Sequence, residues 1–184
     1  MRWKLIIIIV VLIALAMLSF FVLPKLYRSS SRGNLPVTGI PSTSALRNLN
    51  GPATTSAELQ ELAQIPVPEM DTKNAAENVA VPENVTTNAS TNSNIRGFGV
   101  RIRNGLFVPD TVIVRQWDTV LISLASEDAD YQLIQPDYGM KPAVLKGTTT
   151  TIEFSASAPG QYYFYCQNCA NPKEVVGSLV VTPK

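Results

Sequence analysis

Two cysteines, Cys166 and Cys169, are the residues of this 184-residue chain whose type and spacing best suit chemistry, and the sequence contains no histidine. A Cys-x-x-Cys pair can close a structural disulfide across a tight loop, bind Cu(I) through two soft thiolates, or exchange disulfides with another protein. A type 1 copper site needs two imidazoles and a thiolate. The missing histidine therefore excludes that site in its usual form.

Cys166 ends one of seven short segments that alternate apolar and polar residues, the pattern of a half-buried β-strand, and Cys169 follows that segment. Turn residues such as Asn104-Gly105 and Pro159-Gly160 separate these segments. We therefore predict that residues 96–184 form one all-β domain, a Greek-key β-sandwich of antiparallel strands. The predicted strands lie at 100–103, 111–115, 119–124, 131–134, 149–154, 161–166 and 178–182.

Six motifs in this half of the chain are Phe107-Val108-Pro109, Trp117-Asp118-Thr119-Val120, 126–131, 136–141, 159–166 and 176–181. In their order and spacing these motifs resemble the cupredoxin family, which usually has Gly-Asp-x-Val at the second of them. They are similar above all to the copper-bearing domain of cytochrome c oxidase subunit II. The resemblance implies a cupredoxin-like fold, an exported and membrane-bound layout, and a function in copper binding or electron transfer.

The departures from the family pattern fall on the metal site. Tyr131 stands where the resemblance places the first histidine, and Cys166 matches the first cysteine. Cys169 follows one residue too early, no second histidine follows it, and Val175 replaces the expected methionine. The resemblance thus implies a degenerate site, with Cys166, Cys169, Met140 and Tyr131 as candidate copper ligands, or no cofactor at all. The simpler interpretations are a disulfide between the cysteines, and packing roles for Tyr131 and for Met140 on its loop.

An apolar run from Leu5 to Leu23 carries no charge, and the first 32 residues hold five basic and no acidic side chains. Nineteen helical residues span about 28 Å, close to the thickness of a bilayer core. The run is longer than a signal-peptide core and ends without a small-residue cleavage site. We predict that residues 1–28 are a cytoplasmic flank and a transmembrane helix, so the protein is a single-pass protein of the cell membrane whose C-terminal domain is extracytoplasmic.

Residues 29–95 are rich in Ser, Thr, Asn, Ala and Pro and contain no aromatic side chain. Such a segment buries little apolar surface, so its composition predicts a disordered, flexible linker. One short helix is expected within it. Thr55 and Glu58 have capping-box spacing, the apolar residues Leu59, Leu62 and Ile65 follow, and Pro66 would end the helix.

The net charge of +1 gives no reason to expect a nucleic acid partner, and no hydrolytic or phosphate-binding motif is present. The residues favour a non-enzymatic, membrane-anchored, extracytoplasmic cupredoxin-like module that binds or assembles with a membrane protein. Two alternatives remain open. One is a Cu(I)-binding or electron-transfer protein that uses Cys166 and Cys169, and the other is a thiol–disulfide exchange protein. A thioredoxin-like pair would stand at a helix N-terminus, where the thiol pKa is lowered, rather than after a strand.

Overall fold

The computed structural model of the chain describes residues 50–88, 93–172 and 174–184. The predicted transmembrane helix at Leu5–Leu23 lies outside these residues and stays a prediction. In the described part, no helix is both long enough and apolar enough to cross a bilayer.

Eleven strands and one short helix make up the described residues, and the predicted all-β class is confirmed. The helix α1 covers Ser56–Ala63. The strands are β1 (Gly51–Pro52), β2 (Asn84–Asn88), β3 (Ser93–Arg103), β4 (Leu106–Val108), β5 (Thr111–Arg115), β6 (Thr119–Ser126), β7 (Tyr131–Ile134), β8 (Ala143–Val144), β9 (Thr149–Ser155), β10 (Gly160–Cys166) and β11 (Val175–Thr182).

The strands form two sheets that face each other across the core. One sheet has the order β5-β11-β10-β7-β8, with β1 added beside β10, and the other has the order β2-β3-β6-β9, with β4 added beside β3. The chain crosses repeatedly between the sheets, because β5, β6 and β7 belong to alternate sheets, as do β8, β9 and β10. The result is a β-sandwich, as the alternating segments predict.

The prediction of a purely antiparallel sandwich is wrong in two places. Strand β11 pairs in parallel with β5, and β3 pairs in parallel with β6 over eight residues, from Ile95 opposite Thr119 to Ile102 opposite Ser126. Side-chain alternation reports only which face of a strand is buried. Alternation does not report the direction of the neighbouring strand. Both sheets therefore could contain parallel as well as antiparallel pairs, and they do, although we predicted antiparallel pairs alone.

The core lies between the sheets and is built from the inward-facing residues of every long strand. Strand β6 alternates regularly, with Val120, Ile122 and Leu124 buried and their neighbours half-buried. In β10 the inward side chains are Tyr162, Phe164 and Cys166. Burial of such side chains contributes about 1.5–3 kcal/mol each and is the main term that holds the sheets together.

The predicted disordered linker over 29–95 is wrong for residues 50–88, and residues 93–95 begin β3. Helix α1 packs on the outer face of the first sheet, where Leu62 and Ile65 bury against Ile113 and Val180. The segment also covers the edge of β5, because the Ala80 N–H donates to the Thr111 carbonyl at 2.8 Å. The outer face of the sandwich buries the few apolar residues of this segment. The composition of the segment alone does not reveal that such a surface is available.

Helix α1 begins with the predicted capping box. The Glu58 N–H donates to the Thr55 hydroxyl at 3.2 Å, and the Thr55 N–H donates to the Glu58 carboxylate at 2.8 Å. Hydrogen bonds from the Thr54 and Thr55 backbone lower the pKa of Glu58. The helix ends at Ala63, three residues before the proline that the sequence offered as its stop.

A buried arginine fastens this segment to the sandwich. The side chain of Arg96 on β3 is fully buried, and its Nε donates to Asp118 Oδ2 at 2.7 Å. Its terminal nitrogens donate to the Pro68 carbonyl at 3.0 Å and to the Glu69 carboxylate at 3.0 and 3.1 Å. Burial lowers the pKa of Arg96, but its hydrogen bonds to the carboxylates of Glu69 and Asp118 outweigh this effect and raise the pKa above its ordinary value. A domain boundary at residue 96 would separate this arginine from Glu69, so the domain includes the segment before it.

Candidate functional site

The candidate residues converge at the end of the sandwich where β10 stops. Cys166, the last residue of β10, pairs with Leu133 of β7, and Tyr131 lies two residues before Leu133 on the same inward face. Alternate residues of a strand point to one side of a sheet. The antiparallel register therefore brings Tyr131 and Cys166 to the same end of the core.

Cys166 and Cys169 are joined in a disulfide, with Cα atoms 5.5 Å apart, a normal separation for a bridged pair. Cys166 is fully buried in the core cluster, and Cys169 is half-buried against it. Neither sulfur is a free thiol in this form of the chain. Of the three roles open to the pair, the structure shows the disulfide that closes the loop.

Asn168, inside the disulfide loop, fastens the loop to β7. Its side-chain oxygen accepts from the Gln132 N–H at 2.8 Å, and its amide group donates to the Asp130 carbonyl at 2.9 Å. The neighbouring Gln167 N–H donates to the Gln132 carbonyl at 2.8 Å. The Asn168 oxygen also lies 3.4 Å from Sγ of Cys166. These bonds hold the loop in place independently of the S–S bond.

The Tyr131 hydroxyl has both of its hydrogen-bonding roles filled. It donates to Asp128 Oδ1 at 2.9 Å and accepts from the Gly105 N–H at 2.9 Å. The Asn104 N–H donates to the other Asp128 oxygen at 2.7 Å. Tyr131 thus ties the loop after β6 to the turn between β3 and β4. Its role is that of a bridging residue in the protein itself, which differs from its predicted role as a copper ligand.

The ionisation of this pair follows from the same contacts. Burial raises the pKa of Tyr131, and the hydrogen bond to Asp128 raises it further. The hydrogen bond from the Asn104 N–H lowers the pKa of Asp128 most, with the Tyr131 hydrogen bond adding to that effect. At neutral pH the site therefore holds a neutral phenol that donates to a carboxylate.

Met140 lies on the turn after β7, which a buried glutamine holds in shape. Gln135 exchanges backbone hydrogen bonds with Met140 at 2.9 and 3.0 Å, and its side-chain oxygen accepts from the Tyr138 N–H at 2.6 Å. The Met140 side chain is half-buried and packs against the core cluster that includes Cys166. Among the four candidates, it alone has a donor atom engaged in neither a disulfide nor one of the hydrogen bonds above.

The donor set does not fit copper in the disulfide form. The two sulfurs are bonded to each other, the Tyr131 oxygen is committed to two neighbours, and the sequence supplies no imidazole. Within the described ranges, no three His, Cys, Asp or Glu side chains come together in a way that would hold a metal ion. What the arrangement can do chemically is open and close one disulfide.

Three residues of this site are absent from the candidates taken from the sequence. Asn168 and Asp128 have no distinctive signal, since short polar residues in loops most often serve turns. Gly105 had a signal in the Asn-Gly pair, which predicts a turn with positive φ, and the structure gives Asn104 a φ of 52° and Gly105 a φ of 76°. The sequence marks the turn, but it does not show that the disulfide lies against this turn.

An exposed apolar cluster lies at the same end of the sandwich. Leu106, Val108 and Val175 are 46, 40 and 41% exposed. Leu106 and Val175 also line a cavity of about 300 Å³, together with Phe107 and Tyr163. Grouped exposed apolar side chains, unlike single scattered ones, make a surface a candidate for contact with another molecule.

No family model matches the chain, and no curated protein matches it. Solved structures similar to it include the metal-binding domain of a Cu(I)-exporting P-type ATPase of Streptococcus pneumoniae, which is 12% identical over 59% of this chain and 99% of that chain, with a TM-score of 0.45. Auracyanin A, a blue copper protein of Chloroflexus aurantiacus, is 15% identical over 47% of this chain and 98% of that chain, with a TM-score of 0.39. The periplasmic domain of cytochrome oxidase subunit II of Bradyrhizobium japonicum is 16% identical over 44% of this chain and 58% of that chain, with a TM-score of 0.34. At these identities and TM-scores we take no fold, ligand, site or role for this chain from them.

Proposed function

We propose that this chain is a membrane-anchored, extracytoplasmic cupredoxin-like module, in which the position of a copper site has become a structural closure. Its role is to bind or assemble with a membrane protein rather than to catalyse a reaction. The observation that carries the proposal is the disulfide between Cys166 and Cys169, beside a Tyr131 hydroxyl that bridges two loops. Both use candidate ligand atoms for internal bonds.

The closure makes physical sense for an exported protein. A disulfide persists in an oxidising compartment, whereas a pair of thiols would serve metal or redox chemistry. Without a bound metal, the loops at this end of the sandwich need another source of rigidity. Here the S–S bond, the Asn168 amide and the Tyr131 hydroxyl together fix the loops that follow β3, β6 and β10.

The exposed cluster of Leu106, Val108 and Val175 supports a binding role for this rigid end. Rigid surfaces bind partners at a lower entropic cost than mobile ones. We propose that an apolar surface of a membrane protein covers the cluster.

Copper and thiol content of the full-length chain test the proposal. The protein is extracted from membranes with detergent in the absence of reductant, thiols are counted after denaturation, and copper is measured after incubation with Cu(II) and removal of excess ion. We expect no free thiol, no stoichiometric copper and no intense charge-transfer band. One tightly bound copper per chain that disappears when both cysteines are changed to serine would refute the proposal.

A second candidate function is Cu(I) binding by the reduced chain. The observation that favours it is the Asn168 brace, which keeps the two sulfur-bearing residues close even when the S–S bond is open. Two neighbouring thiolates suit Cu(I) and need no histidine.

Competition with a chromophoric Cu(I) chelator separates this candidate from the first. The reduced wild-type chain would remove one Cu(I) from the chelator, and the Cys166→Ser and Cys169→Ser variants would each lose that uptake. Met140→Leu tests whether the thioether is a third ligand, because leucine fills a similar volume without sulfur. Equal uptake by wild type and both serine variants would exclude a thiolate site.

A further inference from the structure

Trp117 occupies a turn that its side chain does not suit. It lies between β5 and β6, where its N–H donates to the Ala156 carbonyl at 2.8 Å, and its φ is 72°. Positive φ is adopted freely by glycine and is a clear outlier for a bulky residue.

The indole is not accounted for by packing either. Trp117 is 53% exposed, although tryptophan is the largest apolar side chain in the chain and is usually well buried. The turn would be less strained with glycine, and the core gains little from a half-exposed ring. A side chain that serves neither the turn nor the core points to a contact outside the domain.

Trp117 lies at the end of the sandwich opposite the disulfide. The adjacent Gln116 N–H donates to the Thr182 carbonyl in the last residue of β11, and Val181 pairs with Gly160, the first residue of β10. Strand β10 then runs seven residues to Cys166, about 20 Å away at the usual rise per residue. The two ends are therefore distinct surfaces.

The chain that precedes the domain joins it at this same end. Gly51 pairs with Gln161 and Pro52 pairs with Gly160, at the start of β10. The described part of the chain thus begins at the Trp117 end.

Two further exposed apolar side chains belong to this end. Ile95, 38% exposed, pairs with Thr119 just after the Trp117 turn. Met70, 56% exposed, follows Glu69, whose carboxylate lies 3.4 Å from the Arg115 guanidinium. We call this end of the sandwich, with its exposed side chains Trp117, Ile95 and Met70 and the cation Arg115, the tether-side surface.

We propose that the tether-side surface lies against the phospholipid bilayer, with the Trp117 indole in the interfacial layer. Tryptophan favours that layer because its ring is apolar and its N–H can remain hydrated. One indole and two aliphatic side chains bind a bilayer weakly, but a covalent tether raises their effective concentration at the membrane. The inference rests on the membrane anchoring in the proposed function, and it sets the disulfide end facing away from the bilayer.

Tryptophan fluorescence of the full-length chain tests this orientation. The chain contains two tryptophans, Trp3 and Trp117, so the Trp3→Phe variant reports on Trp117 alone. It is reconstituted into phosphatidylcholine vesicles with and without brominated acyl chains, which quench only indoles at or in the bilayer. We expect Trp117 to lose emission in the brominated vesicles and to resist quenching by aqueous iodide.

A matched control carries the indole at the other end. In the Trp3→Phe, Trp117→Phe background, a Leu106→Trp substitution places the probe near the disulfide, where it should keep its emission in brominated vesicles and be quenched by iodide. Lipid quenching of both probes would mean unspecific adsorption and would overturn the proposal. If neither brominated lipid nor iodide quenched Trp117, the indole would be covered by a protein partner, and the proposal would be overturned.

Two outcomes keep anchoring and docking apart. If the chain does not float with the vesicles, the anchor fails and the docking proposal fails with it. If it floats while Trp117 is quenched by iodide alone, anchoring stands and docking is refuted.

Finally, Trp117→Gly should leave the thermal midpoint unchanged or raised, because glycine accepts the positive φ. A lowered midpoint would show that the indole serves the fold.

Discussion

Gly105 and Cys169 are in such close contact that a single methyl group could not be added between them without movement. A Cβ atom built on Gly105 would lie 3.1 Å from Sγ of Cys169 and 3.9 Å from Cε1 of Tyr131. The turn between β3 and β4 therefore packs directly against the disulfide. Because the Gly105 N–H also donates to Tyr131, one glycine links the two features that close this end of the sandwich.

A Gly105→Ala substitution should lower the free energy of unfolding by more than the backbone cost alone. Positive φ costs a non-glycine residue about 1–2 kcal/mol, and the new methyl group must also displace Cys169. Gly139→Ala is the matched control, since Gly139 has a φ of 63° and nothing within 4 Å of its added Cβ. Urea unfolding of both variants checks this, and equal losses would show that the contact with the disulfide carries no energy.

Reduction of the disulfide should destabilise the domain modestly. For a loop this short, the entropy lost from the unfolded chain corresponds to about 2 kcal/mol. Cys166→Ser should cost more than Cys169→Ser, because Cys166 is fully buried and Cys169 only half-buried. The check is urea unfolding with and without reductant, with the Cys169→Ser variant as the control that reductant leaves unchanged. A collapse of the fold on reduction would contradict the brace assigned to Asn168.

Tyr131→Phe should cost about 1–3 kcal/mol, because it leaves the buried Gly105 N–H without its acceptor. Tyr165→Phe, on the outward side of β10, is the control and should cost less. The raised pKa of Tyr131 gives a pH signature. Its stabilising effect is fully present below the unfolded-state pKa of about 10 and is lost as the pH rises through the higher folded-state value. The alkaline decline in stability should therefore be smaller in Tyr131→Phe than in wild type.

Arg96→Met should destabilise the protein by about 3–5 kcal/mol, since it leaves the buried Asp118 carboxylate without its cation. Arg103→Met is the control. Arg103 pairs with Glu127 at 2.6 Å, but its side chain is 57% exposed, so its loss should cost at most about 1 kcal/mol. Glu69→Gln should loosen the segment 50–88 first, which hydrogen exchange of the Ala80 amide would detect. Similar small losses for both arginine variants would show that the buried pair does not hold the segment.

The predicted topology requires the β domain to lie outside the cytoplasm. Protease added to spheroplasts should remove the domain, while the domain should sediment with membranes when no protease is added. Lysed spheroplasts, which expose both sides of the membrane, provide the control for protease access. Recovery of the intact domain in the soluble fraction, without protease, would refute the anchor.

The fold was largely predictable where one face of a strand is apolar. Strands such as β6 and β10 follow from alternation alone, because Val120 or Tyr162 can be buried only if its neighbours face outward. The short strands β1, β2, β4 and β8 carry no such pattern. They exist because neighbouring strands offer them backbone hydrogen bonds, which leave no trace in local composition.

The sequence offered the disulfide between Cys166 and Cys169 among the roles of the pair, but it did not indicate the hydrogen bonds around it. The resemblance pointed to Tyr131, Cys166, Cys169 and Met140, and the register of β7 and β10 brings the first two to one end of the core. Whether a sulfur bonds to metal or to another sulfur depends on loop geometry that spacing does not determine. The folded segment 50–88 was missed for a related reason, since its stability comes from Arg96 and from the sandwich surface rather than from its own residues.

The pairing of β1 with the start of β10 also determines how mechanical tension would enter this protein. A pull on the chain before residue 50 would first load Gly51 and Pro52, whose ladder with β10 is only two residues long. The force would then pass to α1, and next to the ionic contacts between Glu69 and Arg96. The disulfide lies beyond this route, at the far end of β10. Under tension, the segment 50–88 would therefore detach in stages, before the force reaches the end of the sandwich that carries the disulfide.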